Sequence, residues 1–119
     1  MDKLEFVKDV TYKMCDRDFD LDLVESTYAD DFVHHANGGT TDKTGYLARG
    51  RDYREQFESI DRPEFEELLE VDDRVVTAYT LNLHRRDGTT ERMAVMAIWT
   101  VSDDGKITSL REVDAPAAA

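Results

Sequence analysis

Cysteine is almost absent from this chain. Cys15 stands alone, which excludes an intrachain disulfide and gives no sign of an oxidising compartment. It falls in a helical pattern beside Met14, where a small buried thiol is expected rather than a nucleophile. Histidine is scarce too. The three histidines show no two- or four-residue ligand spacing, so neither a metal site nor a metal is expected. No glycine-rich phosphate loop follows a strand pattern, and no cofactor is expected. No apolar run reaches membrane-spanning length, and Met1–Phe6 lacks the basic and apolar regions of a signal peptide. A soluble cytoplasmic protein is the expectation.

Positive charge is also in deficit. Fifteen lysines and arginines stand against 27 aspartates and glutamates, a formal net charge of −12. Such a surface repels phosphate backbones and anionic lipid, so neither nucleic acid nor a membrane is an expected partner. At 119 residues, with 40% hydrophobic and 35% charged residues, the chain suits one domain with a real core.

What is present reads as helices first and sheet afterwards. Asp2 with Glu5 forms a capping-box-like start, and Leu4, Val7, Val10 and Met14 follow at helical spacing. Asp20 caps a second, short helix carrying Leu21, Val24 and Tyr28. After a turn at Asn37-Gly38-Gly39, Thr41 or Asp42 caps a third, on which Tyr46, Gly50, Tyr53 and Phe57 share one face. From Pro63 the pattern is strand. Phe65, Leu69 and Val71 alternate with glutamates, Asp72-Asp73 turns into a long run from Arg74 to Arg86, and Asp87-Gly88 turns into Arg92–Val101. Met93–Trp99 is apolar at both parities, so both its faces are expected to be covered, one of them by a second copy of the chain. A turn at Asp104-Gly105 leads to a last strand ending at Asp114. Residues 1–114 are read as one domain and 115–119 as a disordered tail. This order is that of an α+β domain.

Two segments carry a resemblance across most of the chain: Tyr28-Ala29-Asp30-Asp31-Phe32-Val33-His34-His35, and Asp104-Gly105-Lys106-Ile107 running on to Asp114. Together they resemble the nuclear-transport-factor-2-like superfamily, in particular its SnoaL-like polyketide cyclase and ketosteroid-isomerase-like branches. The resemblance implies a cystatin-like α+β fold. Three N-terminal helices would pack on a strongly curved, mostly antiparallel sheet, forming a cone with a central pocket and pairing as a homodimer.

It also nominates residues. Tyr12, eight residues before Asp20, matches the isomerase tyrosine that donates to a substrate oxygen, but Ala36 and Ala97 stand where the isomerase has its base and its second oxyanion acid. An ordinary ketosteroid isomerase is therefore disfavoured. The SnoaL-like pattern places an acid late on the last strand, which falls on Asp114. Alternation sets Leu110, Glu112 and Asp114 on one face, where two acids beside apolar walls suit acid–base work. The competing reading has Asp114 solvated at a strand end and Glu112 paired with an arginine. Adjacent histidines point oppositely, so at most one of His34 and His35 enters the cone. The isomerase register favours His34, the SnoaL-like one His35.

The expected catalytic set is thus Asp114, Glu112, His34 and Tyr12. The expected lining is Phe32, His35, Tyr53, Phe57, Thr80, Asn82, His84, Val95, Ala97, Trp99 and Leu110, with the polar parity of the long strand turned inward. Two functions fit. One is isomerisation, cyclisation or dehydration of a small apolar or polycyclic substrate; the other is a non-catalytic ligand-binding or dimeric accessory role. A cavity with convergent acids favours the first; a cone filled by Trp99, Met93 and Phe32 favours the second.

Overall fold

The computed structural model describes residues 1–117. Helix α1 (Lys3–Cys15) begins where Asp2 Oδ1 accepts the Glu5 N–H at 3.0 Å. Its Val7 and Val10 are fully buried, each such side chain being worth about 1.5–3 kcal/mol. Helix α2 (Asp22–Glu25) is a single turn, with Asp20 Oδ1 accepting from the Asp22 N–H. It ends before Tyr28, which opens strand β1 (Tyr28–Ala36) instead of lying on the helix. Asn37 and Gly38, at φ 53° and 79°, form the two-residue left-handed turn of a tight hairpin. They lead into β2 (Gly39–Asp42), a short strand with no sequence signal of its own. Asp42 then caps α3 (Lys43–Gln56), accepting from the Gly45 N–H at 2.8 Å.

Phe57 begins β3 (Phe57–Ile60) rather than ending the helix. Strands β4 (Glu64–Val71), β5 (Arg74–Arg85), β6 (Thr90–Val101) and β7 (Ile107–Pro116) follow. Tight turns at Asp72, Gly88 and Gly105, all at positive φ, join these four strands. The last strand outruns its expected end: Ala115 pairs with Ala94 and Pro116 with Met93. The tail expected from residue 115 is therefore strand as far as Pro116, because β6 offers a partner there; residues 118 and 119 lie outside the described residues.

Strand order is β2-β1-β7-β6-β5-β3, with β4 also pairing β5, and only β1 and β7 run parallel. The three helices pack on the concave face of this curved sheet, and the architecture is α+β. No helix of the described residues is long and apolar enough to cross a membrane.

Register turns the concave face into rows that climb from core to rim. The deepest is Val75–Trp99–Leu110–His34, then Thr77–Ala97–Glu112–Ala36, then Tyr79–Val95–Asp114. Below and within the first row lie Val7, Val10, Tyr28, Phe32, Leu47, Ile107 and Leu110, the packed core. The Trp99 indole N–H donates to Thr77 Oγ1 at 3.1 Å, so this polar pair is satisfied inside it. The outer face is apolar at its centre: Met96, Ile98 and Val113 are exposed there, with Leu69 and Val71 beyond. Strand β6 is thus apolar on both sides, one of them bare.

Candidate active site

Above the core, between the sheet and α3, lies a cavity of about 450 Å³. Sheet rows supply His34, Ala36, Tyr79, Leu81, Met93, Val95, Glu112 and Asp114. Helix α3 contributes Tyr46, Arg49, Gly50, Asp52, Tyr53 and Arg54, and the end of α1 adds Met14 and Cys15. Arg54 fastens the two helices. Its guanidinium donates to the carbonyls of Lys13 (2.9 Å), Met14 and Phe19, satisfying the open end of α1.

The polar centre is a pair. His34 sits opposite Leu110 and one step along from Glu112, a diagonal neighbour within reach on the same sheet face. Its Nε2 is 2.5 Å from Glu112 Oε1, and the two side chains are only 6% and 19% exposed. An ionised carboxylate only accepts, so Nε2 carries the hydrogen and donates it. The other ring nitrogen, Nδ1, is buried without a hydrogen-bond partner among the described residues. Tyr46 packs edge-on against the imidazole at 4.8 Å.

Asp114 lies one row up, at the rim, exposed on its open side. Burial of its carboxyl, reinforced by the charge of Glu112, raises its pKa above the ordinary 3.8, with His34 acting the other way. The phenols of Tyr46 and Tyr79 are pushed well above their usual range, mainly by burial. They are neutral donors. Burial pushes the Cys15 thiol to about 12, so this cysteine is a wall and not a nucleophile. Among the described residues no cluster of three or more histidine, cysteine or acidic side chains is set to hold a metal ion.

Of the residues nominated from sequence, the structure brings together His34, Glu112, Asp114, Tyr53 and Val95. His35 is corrected: it points to the outer face, beside Arg111, Met96 and Ile98. Tyr12 is corrected as well. It lies outside this cavity, tilted on Phe65 at 5.7 Å with the Arg62 guanidinium 3.8 Å over its ring. Thr80, Asn82 and His84 form the third correction. Strands β5 and β6 pair without a bulge from Arg74 to His84, so burial of Val75 and Thr77 forces Tyr79, Leu81 and Leu83 inward and the polar set outward. Outside, Thr80 donates to Glu66, Asn82 accepts from Arg92, and His84 lies 2.9 Å from Asp61. Phe32, Phe57, Ala97, Trp99 and Leu110 are buried in packed interior and do not line the cavity. Sequence reasoning missed Tyr46, Tyr79, Leu81 and Arg54 as lining; the helical stripe of Tyr46, Gly50 and Tyr53 already pointed to the first.

The SnoaL-like domain model matches residues 12–110 of the chain. No curated protein matches it. Solved structures similar to it include a conserved protein from Planctomyces limnophilus, 21% identical over 93% of each chain with a TM-score of 0.69. An NTF2-like protein of unknown function from an Exiguobacterium species is 19% identical, covering 93% of this chain and 98% of its own, with a TM-score of 0.72. A candidate SnoaL-like polyketide cyclase from a Jannaschia species is 16% identical over 78% of this chain and 70% of its own, with a TM-score of 0.65. At these identities the likeness is one of fold, whereas the domain match spans most of the sequence: the chain belongs to the SnoaL-like domain family.

Proposed function

We propose that this protein is a cofactor-independent acid–base catalyst for a small, largely apolar carbonyl compound held in the cavity. The observation that supports it is the His34–Glu112 pair, buried at 2.5 Å with one imidazole nitrogen unpartnered. Glu112 orients the ring and balances the positive charge it acquires, the division of labour found wherever a carboxylate backs a histidine base. Nδ1, buried at rest, reaches the cavity when the imidazole turns about its hydrogen bond to Glu112. It then takes a proton from the carbon next to the carbonyl, the C–H electron pair passes into the carbonyl π system, and a donor stabilises the charge developing on oxygen. The imidazolium then returns the proton to the same carbon or a conjugated one. Asp114 stands at the rim, where burial and the charge of Glu112 raise its pKa. It is placed to exchange a proton with a hydroxyl or an alkoxide of the ligand, which extends the chemistry to dehydration and aldol-type closure. Tyr12 has no part in this reading.

Binding is checked by mapping amide shifts while 2-tetralone is titrated in. Shifts at His34, Tyr46, Val95, Glu112 and Asp114 are expected. Shifts confined to the outer face would overturn the site.

The same family reading has the bare face of β6 covered by a second copy. Met96 and Val113, 60% and 62% exposed beside Ile98, form a central apolar strip in a chain of charge −12. Sedimentation is expected to show a homodimer at micromolar concentration; a monomer there would contradict it.

A further inference from the structure

An aromatic ladder crosses the molecule from its surface to the cavity. Arg62 lies over Tyr12, Tyr12 is tilted on Phe65 at 5.7 Å, and Phe65 meets Tyr79 edge-on at 5.4 Å. Tyr12 occupies the outer end and Tyr79 the inner one, where its ring lines the cavity. Tyr79 is 8% exposed where it lines the cavity, and its hydroxyl makes no hydrogen bond to any described residue. A phenol placed in this way has a free donor to offer a partner in the cavity. The other interior phenols differ: Tyr28 and Tyr46 face each other, hydroxyl to hydroxyl, at 3.4 Å.

The register says where that partner would sit. Tyr79 is opposite Val95, and Val95 is opposite Asp114, so one strand separates the phenol from the acid. Neighbouring strands lie about 4.8 Å apart, placing the two backbones roughly 10 Å from each other with both side chains on the concave face. A flat molecule about one or two rings wide fills that span over Val95, with apolar contacts from Leu81 and Met93.

We propose that Tyr79 is the oxygen-binding residue of this cavity, donating to the carbonyl or phenolic oxygen of a planar, apolar, one- or two-ring ligand seated over Val95. It takes the place that family spacing assigns to Tyr12. Because burial holds the phenol protonated, the donor persists across the neutral range. The proposal rests on the cavity reading above and adds its ligand class and orientation.

The test uses 2-naphthol and naphthalene, which share a shape and differ by one oxygen, titrated calorimetrically into wild-type protein and the variants Tyr79→Phe and Tyr12→Phe. Tyr79→Phe keeps the ring against Phe65 and removes a hydroxyl that holds nothing in the fold, so circular dichroism should be unchanged. Wild type is expected to bind 2-naphthol more tightly than naphthalene. Tyr79→Phe should weaken 2-naphthol about ten-fold, the effect of one hydrogen bond, and leave naphthalene unaltered. Tyr12→Phe should change neither. Unaltered 2-naphthol binding in Tyr79→Phe overturns the assignment while the cavity reading stands; a loss in Tyr12→Phe instead hands the role back to Tyr12. Failure of the wild type to bind either compound overturns both the assignment and the cavity.

Discussion

Removing both partners of the His34–Glu112 contact should cost clearly less than the two single removals added together. In His34→Leu the Glu112 carboxylate, 19% exposed, loses its donor; in Glu112→Leu the buried Nε2–H loses its acceptor. A hydrogen bond to a charged group is worth about 1.5–3 kcal/mol, and a buried polar group left without a partner costs about 1–3 kcal/mol. The pair is shielded from solvent, so screening takes little away. Each single variant should therefore lose about 2–3 kcal/mol. The double variant strands neither partner and should lose clearly less than the sum, giving a coupling of about 2 kcal/mol. Each kcal/mol moves the midpoint of a domain this size by about 3–5 °C. Urea unfolding of the four proteins, followed by circular dichroism, measures the cycle directly. Single-variant losses that simply add, to within about 0.5 kcal/mol, would refute the reasoning and leave His34 as an ordinary core residue.

Asp114→Asn tests the rim acid through stability. Because the folded pKa of Asp114 is raised, the native state holds a proton that the unfolded chain releases above 3.8. Wild-type stability should fall as pH rises from there through the raised value, and the destabilisation should persist at neutrality. The Asn variant should lack that slope and be the more stable protein at pH 7; a less stable variant at pH 7 would show that Asp114 is ion-paired rather than strained. The chain should also turn over a 5-ene-3-ketosteroid poorly, because the family resemblance sets Ala36 and Ala97 where the isomerase has its own base and oxyanion acid. His34, two residues before Ala36 on β1, is not at that base's position, and a base misplaced for its substrate costs about 10²-fold in rate. Efficient isomerisation in a spectrophotometric assay would contradict that alignment.

How much of this was legible in the sequence depended on whether a residue's neighbours left one arrangement or two. The Asp2 and Asp42 caps and the Asn37-Gly38 and Gly105 turns are local chemistry and read directly. Leu110, Glu112 and Asp114 share a face by simple alternation, and the structure sets the two acids along the cavity wall. The long strand β5 was harder, because its two parities are both plausible linings, one apolar and one polar. Only its unbroken pairing with β6, carried down to buried Val75 and Thr77, decides that Tyr79 points in and His84 out. Strands β2 and β3, four residues each, have no periodicity to read; they exist because β1 and β5 offer them edges. Tyr12 matched a spacing along the chain. What it faces, however, is set by Phe65, more than fifty positions away in sequence and beyond the reach of any local pattern.

If His34 moves a proton on a carbonyl compound held in the cavity, the protein must exchange that compound's α-hydrogens with solvent. The most direct measurement is deuterium uptake at the α-carbon of 2-tetralone in buffered D₂O, followed by NMR with wild-type protein and with His34→Leu. Wild-type protein should accelerate uptake saturably over buffer, and the variant should lose about 10²–10⁴ of that acceleration. Uptake at the buffer rate with wild-type protein, or equal acceleration by His34→Leu, would contradict that role for His34.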